Sequence, residues 1–233
     1  MKKMKAFVLT LCACVVLMGC SNMAKGTAIG AGGGAILGAV AGKLLGNTAV
    51  GAAVGTAVGA GAGALIGKHM DKVKAQAEAV QNAQVQTVTD ANGLEAVQVT
   101  FDSGILFQTG KSELSATAKT SLNQFAKDVL IPNQDCDVAI QGYTDNAGWK
   151  NSTAEQSAQK NLNLSQQRAQ AVTSYLQSVG VTAAQIRSTT GYGEANPVAD
   201  NATAAGKAKN RRVEVFLYAS QAMINAAEAG TLQ

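Results

Sequence analysis

Ile140-Gln-Gly-Tyr-Thr-Asp145-Asn-Ala-Gly148 begins as an apolar strand and ends as a polar loop. Val138 and Ile140 supply the strand, and Asp145 enters the turn with Asn146 and Gly148, so a carboxylate stands at the carboxyl edge of a sheet. Downstream, Asn161-Leu-Asn-Leu-Ser165-Gln-Gln-Arg168-Ala169 is followed by Val172, Leu176 and Val179 at helical spacing. Ser165 reads as the N-cap of a helix over 165–179, which puts Arg168 in its first turn. A cation there opposes the helix dipole by a few tenths of a kcal/mol. Arginine at that place makes sense if an anion uses both the guanidinium and the free helix N–H groups. Asp145 and Arg168 are therefore the principal candidate ligand contacts. Asn161 and Ser165 are expected to shape the site as capping groups, and Thr144 and Asn146 are loop neighbours of Asp145.

Working outward, the residues alternate between strand and helix signals. Met70 to Ala83, rich in charge and alanine, is expected to be a solvated connecting helix. Val85, Thr87 and Thr89, the turn Asp90-Ala-Asn-Gly93, and then Val97, Val99 and Phe101 describe a hairpin entering a sheet. Ile105-Leu106-Phe107 continues it. Ser112 or Ser115 opens a helix whose inward stripe is Ala118, Leu122, Phe125, Ala126 and Val129, ended by Pro132. A strand at 136–143, a short strand near 187–191, a short helix at 203–209 capped by Thr203 and a last strand at 212–218 complete an α/β pattern. The tail, 219–233, is expected to be a loose helix without a role.

Five motifs now stand in order: Gly142-Tyr-Thr-Asp145-x-x-Gly148, Asn161-x-x-Leu-Ser165-x-x-Arg168-Ala169, Gly191-Tyr-Gly-Glu194-x-x-Pro197, Asn201-x-Thr203-x-x-Gly206 and Asn210-Arg-Arg-Val-Glu-Val215. Over about residues 95–218 this order resembles the OmpA-like C-terminal domain, a non-covalent peptidoglycan-binding module of outer-membrane proteins and lipoproteins. The resemblance implies a β-α-β-α-β sandwich that binds the diaminopimelate of the peptidoglycan stem peptide. By motif, Asp145 would hold its ammonium group and Arg168 its carboxylate, with backbone contacts lent by Asn161 and Ser165. Of Arg211 and Arg212, one would reach the anion pocket or both would brace the sheet; Arg211 is the candidate. The chain departs from the family in two places. Residues 149–160 lengthen the loop between the two contacts, with Trp149 placed to pack there or to stack on a ligand. Phe107-Gln108 stands where the family has Phe-Asp, which removes a carboxylate behind the site.

The amino terminus carries its own signals. Lys2, Lys3 and Lys5 precede an apolar run from Ala6 to Val16, and Leu17-Met-Gly-Cys20 resembles a bacterial lipobox, with cleavage before Cys20 and lipid on its thiol. Residues 1–19 are thus expected to be a lipoprotein signal peptide and 20–25 a lipidated start. Removing three of 19 basic residues leaves 16 against 15 acidic ones, a net charge of +1, which gives nucleic-acid binding no support. Of four cysteines only Cys136 then remains free, so no internal disulfide is expected, and Cys136 reads as a small core residue.

Glycine recurs at 26, 30, 34, 38, 42 and 46, and again at 51, 55, 59, 63 and 67. Each glycine inside a helix costs about 1 kcal/mol relative to alanine, so such helices need a close-packed partner along the small-residue row. Residues 26–70 therefore read as a glycine-zipper hairpin with arms near 27–45 and 49–69, turning at Gly46-Asn47. Residues 71–94 would be a connecting helix and linker. Five residues separate Cys20 from Gly26, a reach of at most about 18 Å, so the hairpin either spans the bilayer holding the lipid or lies against it. It could also join copies of the chain as a homo-oligomer. Gly42-Lys43-Leu44 and Gly67-Lys68-His69 lack the Ser/Thr that a phosphate-binding loop requires. His69 is the sole histidine and reads as a helix-end residue, with no catalytic set and no metal cluster expected. No cofactor is implied. The sequence thus describes a non-enzymatic, periplasm-facing lipoprotein of the outer membrane that tethers membrane to peptidoglycan. The alternative is a glycine-zipper assembly or pore-forming protein whose wall binding is secondary.

Overall fold

In a computed structural model of the chain, residues 58–90 and 93–232 are described. The lipobox, Cys20, the first ladder arm at 27–45 and the turn at Gly46-Asn47 lie outside the described residues.

The described part opens with helix α1, Ala60–Glu78. It buries Ala62, Ile66, Met70, Val73 and Ala77, a stripe spaced by three or four residues that defines one helical face. The last turns of the second ladder arm and the segment expected to be a solvated connector are therefore one continuous helix. The connector is not solvated: Asp71, Lys72 and Glu78 point to solvent, while Met70, Val73, Ala77 and the following Val80 are in the core. Charge content in that segment marks the outer half of an amphipathic helix. No helix among the described residues is long and apolar enough to cross a membrane.

Strands β1 (Ala83–Thr89) and β2 (Glu95–Asp102) form the expected hairpin, running in register from Ala83 opposite Phe101 to Thr89 opposite Glu95. Asp90 holds its turn by accepting from the backbone N–H of Leu94 at 2.9 Å. A single turn, α2 (Ser103–Leu106), interrupts the expected continuation into the sheet. Helix α3 (Ala116–Phe125) starts at Ser115, whose hydroxyl accepts from Ala118 N–H, and continues as a wider π turn over Ala126–Leu130. Then follow β3 (Cys136–Gly142), α4 (Ala154–Ser178), β4 (Ile186–Gly191), α5 (Ala204–Asn210), β5 (Arg212–Ala219) and α6 (Gln221–Glu228).

The sheet order is β1-β2-β5-β3-β4, antiparallel except for the parallel pair β3 and β4. This is a mixed α/β sheet with flanking helices. Alternate residues of the strands (Val97, Val99, Phe101; Val138, Ile140; Val213, Val215, Leu217) share the core with α1, α3, α4 and α6. Phe101 and Phe125 meet edge to face there, ring centroids 5.6 Å apart. The tail is not loose. Ser220 caps α6, and Met223, Ile224 and Ala227 are buried, so the last helix closes the core beside α1.

Candidate functional site

The ends of β3 and β4 and the middle of α4 converge because glycine lets them. A Cβ on Gly142 would stand 2.3 Å from the carbonyl oxygen of Ser165, and one on Gly191 would stand 2.1 Å from the backbone nitrogen of Gln166. No other residue could occupy either place, so both strand-end motifs carry glycine to let α4 touch the sheet. Ser165 is fully buried at this junction. Its hydroxyl donates to Leu162 O at 2.7 Å and accepts from Gly193 N–H at 2.8 Å. It pins the helix to the loop after β4 and does not face the cavity.

Ser165 is therefore no N-cap. Helix α4 begins at Ala154, where Thr153 and Gln156 form a reciprocal capping box: Thr153 Oγ1 accepts from Gln156 N–H and Gln156 Oε1 accepts from Thr153 N–H. Two consequences follow. Most of the 149–160 extension is helix rather than loop. Arg168 lies mid-helix, where no free N–H groups are available, so an anion at the guanidinium would have no helix terminus behind it.

Asp145 and Arg168 nevertheless open into one cavity of about 540 Å³, together with Arg211, Thr144, Asn161 and Trp149. Asp145 is nearly buried. One carboxylate oxygen accepts from Ala147 N–H at 3.0 Å, and the other is met by Arg211 Nη1 at 2.5 Å. Of the two neighbouring arginines, Arg211 turns to the cavity. Arg212 braces the sheet instead: its Nε meets Glu214 at 2.6 Å, its Nη1 and Nη2 donate to Asn210 O and Asn196 O, and its guanidinium lies 3.9 Å from the Tyr143 ring centre. Tyr143 in turn stacks on Tyr192, which ties the two Gly-Tyr motifs together.

Arg168 is the unusual member. Only 3% of it is exposed, yet it has no carboxylate partner among the described residues. Its Nε donates to Lys111 O at 3.0 Å and the guanidinium sits over the Phe107 ring, 5.1 Å from its centre. Its terminal nitrogens make no hydrogen bond among the described residues. Burial first, and the neighbouring Arg211 second, push its pKa down to about 10, with Asp145 partly opposing.

Asn161 links the loop to the helix. Its amide donates to Asp145 O and Ala147 O, and its oxygen accepts from the Trp149 indole N–H at 2.8 Å. Trp149 thus forms part of the cavity wall. Thr144 is buried and its hydroxyl has no hydrogen-bond partner among the described residues. Asn146 is exposed and lies outside the cavity lining. Two contributors carry no signal in the sequence, the Lys111 carbonyl and Lys207 in the wall, while Phe107, read there only through its Phe-Gln motif, lies under the Arg168 guanidinium. The sequence also gives no hint of another gathering. His69, expected to stand apart at a helix end, lies against Asp135 and Cys136.

Residues 106–211 match the model of the OmpA family, and residues 1–71 match that of the YMGG-like Gly-zipper. The chain is similar to the probable lipoprotein YiaD of Escherichia coli, 34% identical over 152 residues that span 65% of this chain and 64% of that protein. It is also similar to the peptidoglycan-binding protein ArfA of Mycobacterium tuberculosis, 46% identical over 96 residues covering 41% of this chain and 26% of ArfA. Both matches span less than two thirds of the relative's length. Among solved structures, a putative MotB-like protein from Desulfovibrio vulgaris superposes with a TM-score of 0.57 at 22% identity, over 68% of this chain and 99% of that one, which shows the shared fold.

Proposed function

We propose that the chain, whose residues 106–211 match the OmpA family, is a peptidoglycan-binding lipoprotein, anchored by Cys20 in the outer membrane and holding the cell wall from the periplasmic side. It is a binding protein and not an enzyme. The ligand in this reading is the diaminopimelate of the stem peptide. Its ammonium takes Asp145, displacing Arg211, and its carboxylate takes the terminal nitrogens of Arg168, with the released Arg211 as a second donor. The observation that carries the reading is the state of Arg168: a buried guanidinium without a counter-ion, in the same cavity as a carboxylate. A buried charge is costly until paired, so the cavity favours a ligand that brings an anion to one side and a cation to the other. Such a site binds weakly one copy at a time, and firm attachment comes from many anchored copies on a repeating polymer. Asp145→Ala or Arg168→Ala is expected to abolish co-sedimentation with purified sacculi while thermal unfolding changes little. Binding that survives in both variants would contradict the site.

One observation favours a second role for the ladder. A Cβ added at Gly59 or Gly63 would meet nothing within 4 Å among the described residues, so this stretch of the glycine row packs against none of them. In that role the row joins copies of the chain, backbone against backbone. Replacing Gly59 and Gly63 with leucine should then dissociate oligomers in cross-linking assays and leave sacculus binding intact.

A further inference from the structure

The imidazole of His69 is nine-tenths buried, with 10% of the side chain exposed, and neither ring nitrogen has a hydrogen-bond partner among the described residues. Buried polar atoms are seldom left so, and each such case needs a cause. The nearest group is Asp135, whose Oδ2 lies 3.5 Å from Nε2. That contact is too long to satisfy the nitrogen, and it does nothing for Nδ1. Beside Asp135 is the thiol of Cys136, fully buried at the start of β3. One ligand atom from each of the three residues falls within 4.8 Å of the other two.

We propose that His69, Asp135 and Cys136 form a binding site for a thiophilic divalent ion of the zinc type. The donor set decides the class. Imidazole nitrogen, thiolate sulfur and one carboxylate oxygen suit Zn²⁺ or Co²⁺, whereas Ca²⁺ and Mg²⁺ require a cage of oxygens that is not present here. At zinc bond lengths the ligand atoms of a tetrahedron lie about 3.3–3.8 Å apart, so the histidine–aspartate spacing already fits and the sulfur needs a small side-chain rotation. Asp135 is the outermost ligand, with 36% of its side chain exposed, and its side supplies the entry path and the fourth position, for water. As the metal–sulfur bond forms, the thiol proton passes to solvent. The three residues come from two distant parts of the chain, His69 from α1, and Asp135 and Cys136 from the turn into β3 and its first position. A bound ion would staple the helix that emerges from the glycine ladder to the sheet. None of the three lines the Asp145–Arg168 cavity, so this site stands or falls independently of wall binding.

The full chain, purified in detergent, is expected to bind one equivalent of Co²⁺ with a thiolate-to-cobalt charge-transfer band, and Zn²⁺ should displace it. Zn²⁺ should raise the Tm of the parent protein by a few degrees and leave that of Cys136→Ser and His69→Gln unchanged, with sacculus binding retained in His69→Gln. His69→Gln sits at the edge of the core and tests the site even if the Cys136 variant folds poorly. Absence of the band in the parent protein, or its persistence in Cys136→Ser or in His69→Gln, would overturn the proposal.

Discussion

Arg168 holds a charge that the fold does not neutralise. Its contact with Phe107 and its hydrogen bond to Lys111 O offset part of the burial, but its pKa still falls to about 10, well below the usual guanidinium range. For a base whose folded value is the lower one, the folded state is penalised while the group is charged, and the penalty fades as pH rises through 10. At neutral pH the cation persists, so anion binding should hold across the physiological range and fall only as pH nears 10. Replacing the residue by an apolar one of similar length separates function from stability. Arg168→Met is expected to raise stability in urea unfolding by roughly 1–2 kcal/mol while abolishing sacculus binding. A loss of stability of that size would show that the guanidinium is a structural brace. Asp145 is marked in the sequence by the place where an apolar run breaks into a loop, whereas Arg168 is singled out there as a first-turn residue of a helix that in fact begins at Ala154, which puts it mid-helix. The Arg211 partner of Asp145 was only half legible. It stands 66 residues away, and nothing local tells which of two adjacent arginines faces the cavity. His69 was misread for the same reason, since its neighbours come from a strand far along the chain.

At the scale of single elements, α4 shows how two equally good capping residues compete. Ser165 and Thr153 both belong to the class that starts helices, but only Thr153 has a glutamine at the third position after it to close the box. Thr153→Ala should therefore cost about 1 kcal/mol and fray the turn that carries Ser157 and Asn161, both of which hold the site loop. Ser165→Ala would leave the start of the helix untouched and instead free Gly193 N–H. The strand ends are less forgiving. With α4 backbone about 2 Å from where their Cβ would be, Gly142→Ala and Gly191→Ala must push helix and sheet apart. Each is expected to destabilise by at least about 2 kcal/mol and to weaken wall binding, read by thermal unfolding and co-sedimentation together. An alanine tolerated at both places would mean that α4 does not rest on the sheet edge as described.

Taken whole, the domain is larger than its motifs. The five motifs mark the strands and loops around the cavity, and the fold over 95–218 could be read from them. They say nothing of α1 and α6, whose sequences look like a charged connector and a spare tail. Only the buried faces, Ile66, Met70 and Val73 on one helix and Met223, Ile224 and Ala227 on the other, reveal them as core. A fragment of residues 84–233 is accordingly expected to expose a broad apolar surface and to aggregate or melt early, whereas 58–233 should unfold cooperatively. Ile66→Ala, at a site with no exposure at all, should cost about 2–5 kcal/mol.

Calorimetric titration of the 58–233 fragment with free diaminopimelate, against lysine as the analogue lacking one carboxylate, bears most directly on the Asp145–Arg168 cavity. Diaminopimelate should bind at least about tenfold more tightly than lysine, a difference of about 1.4 kcal/mol, and that preference should vanish in Arg168→Ala. Equal affinity for the two amino acids, or an unchanged preference in Arg168→Ala, would contradict a site built around an unpaired buried guanidinium.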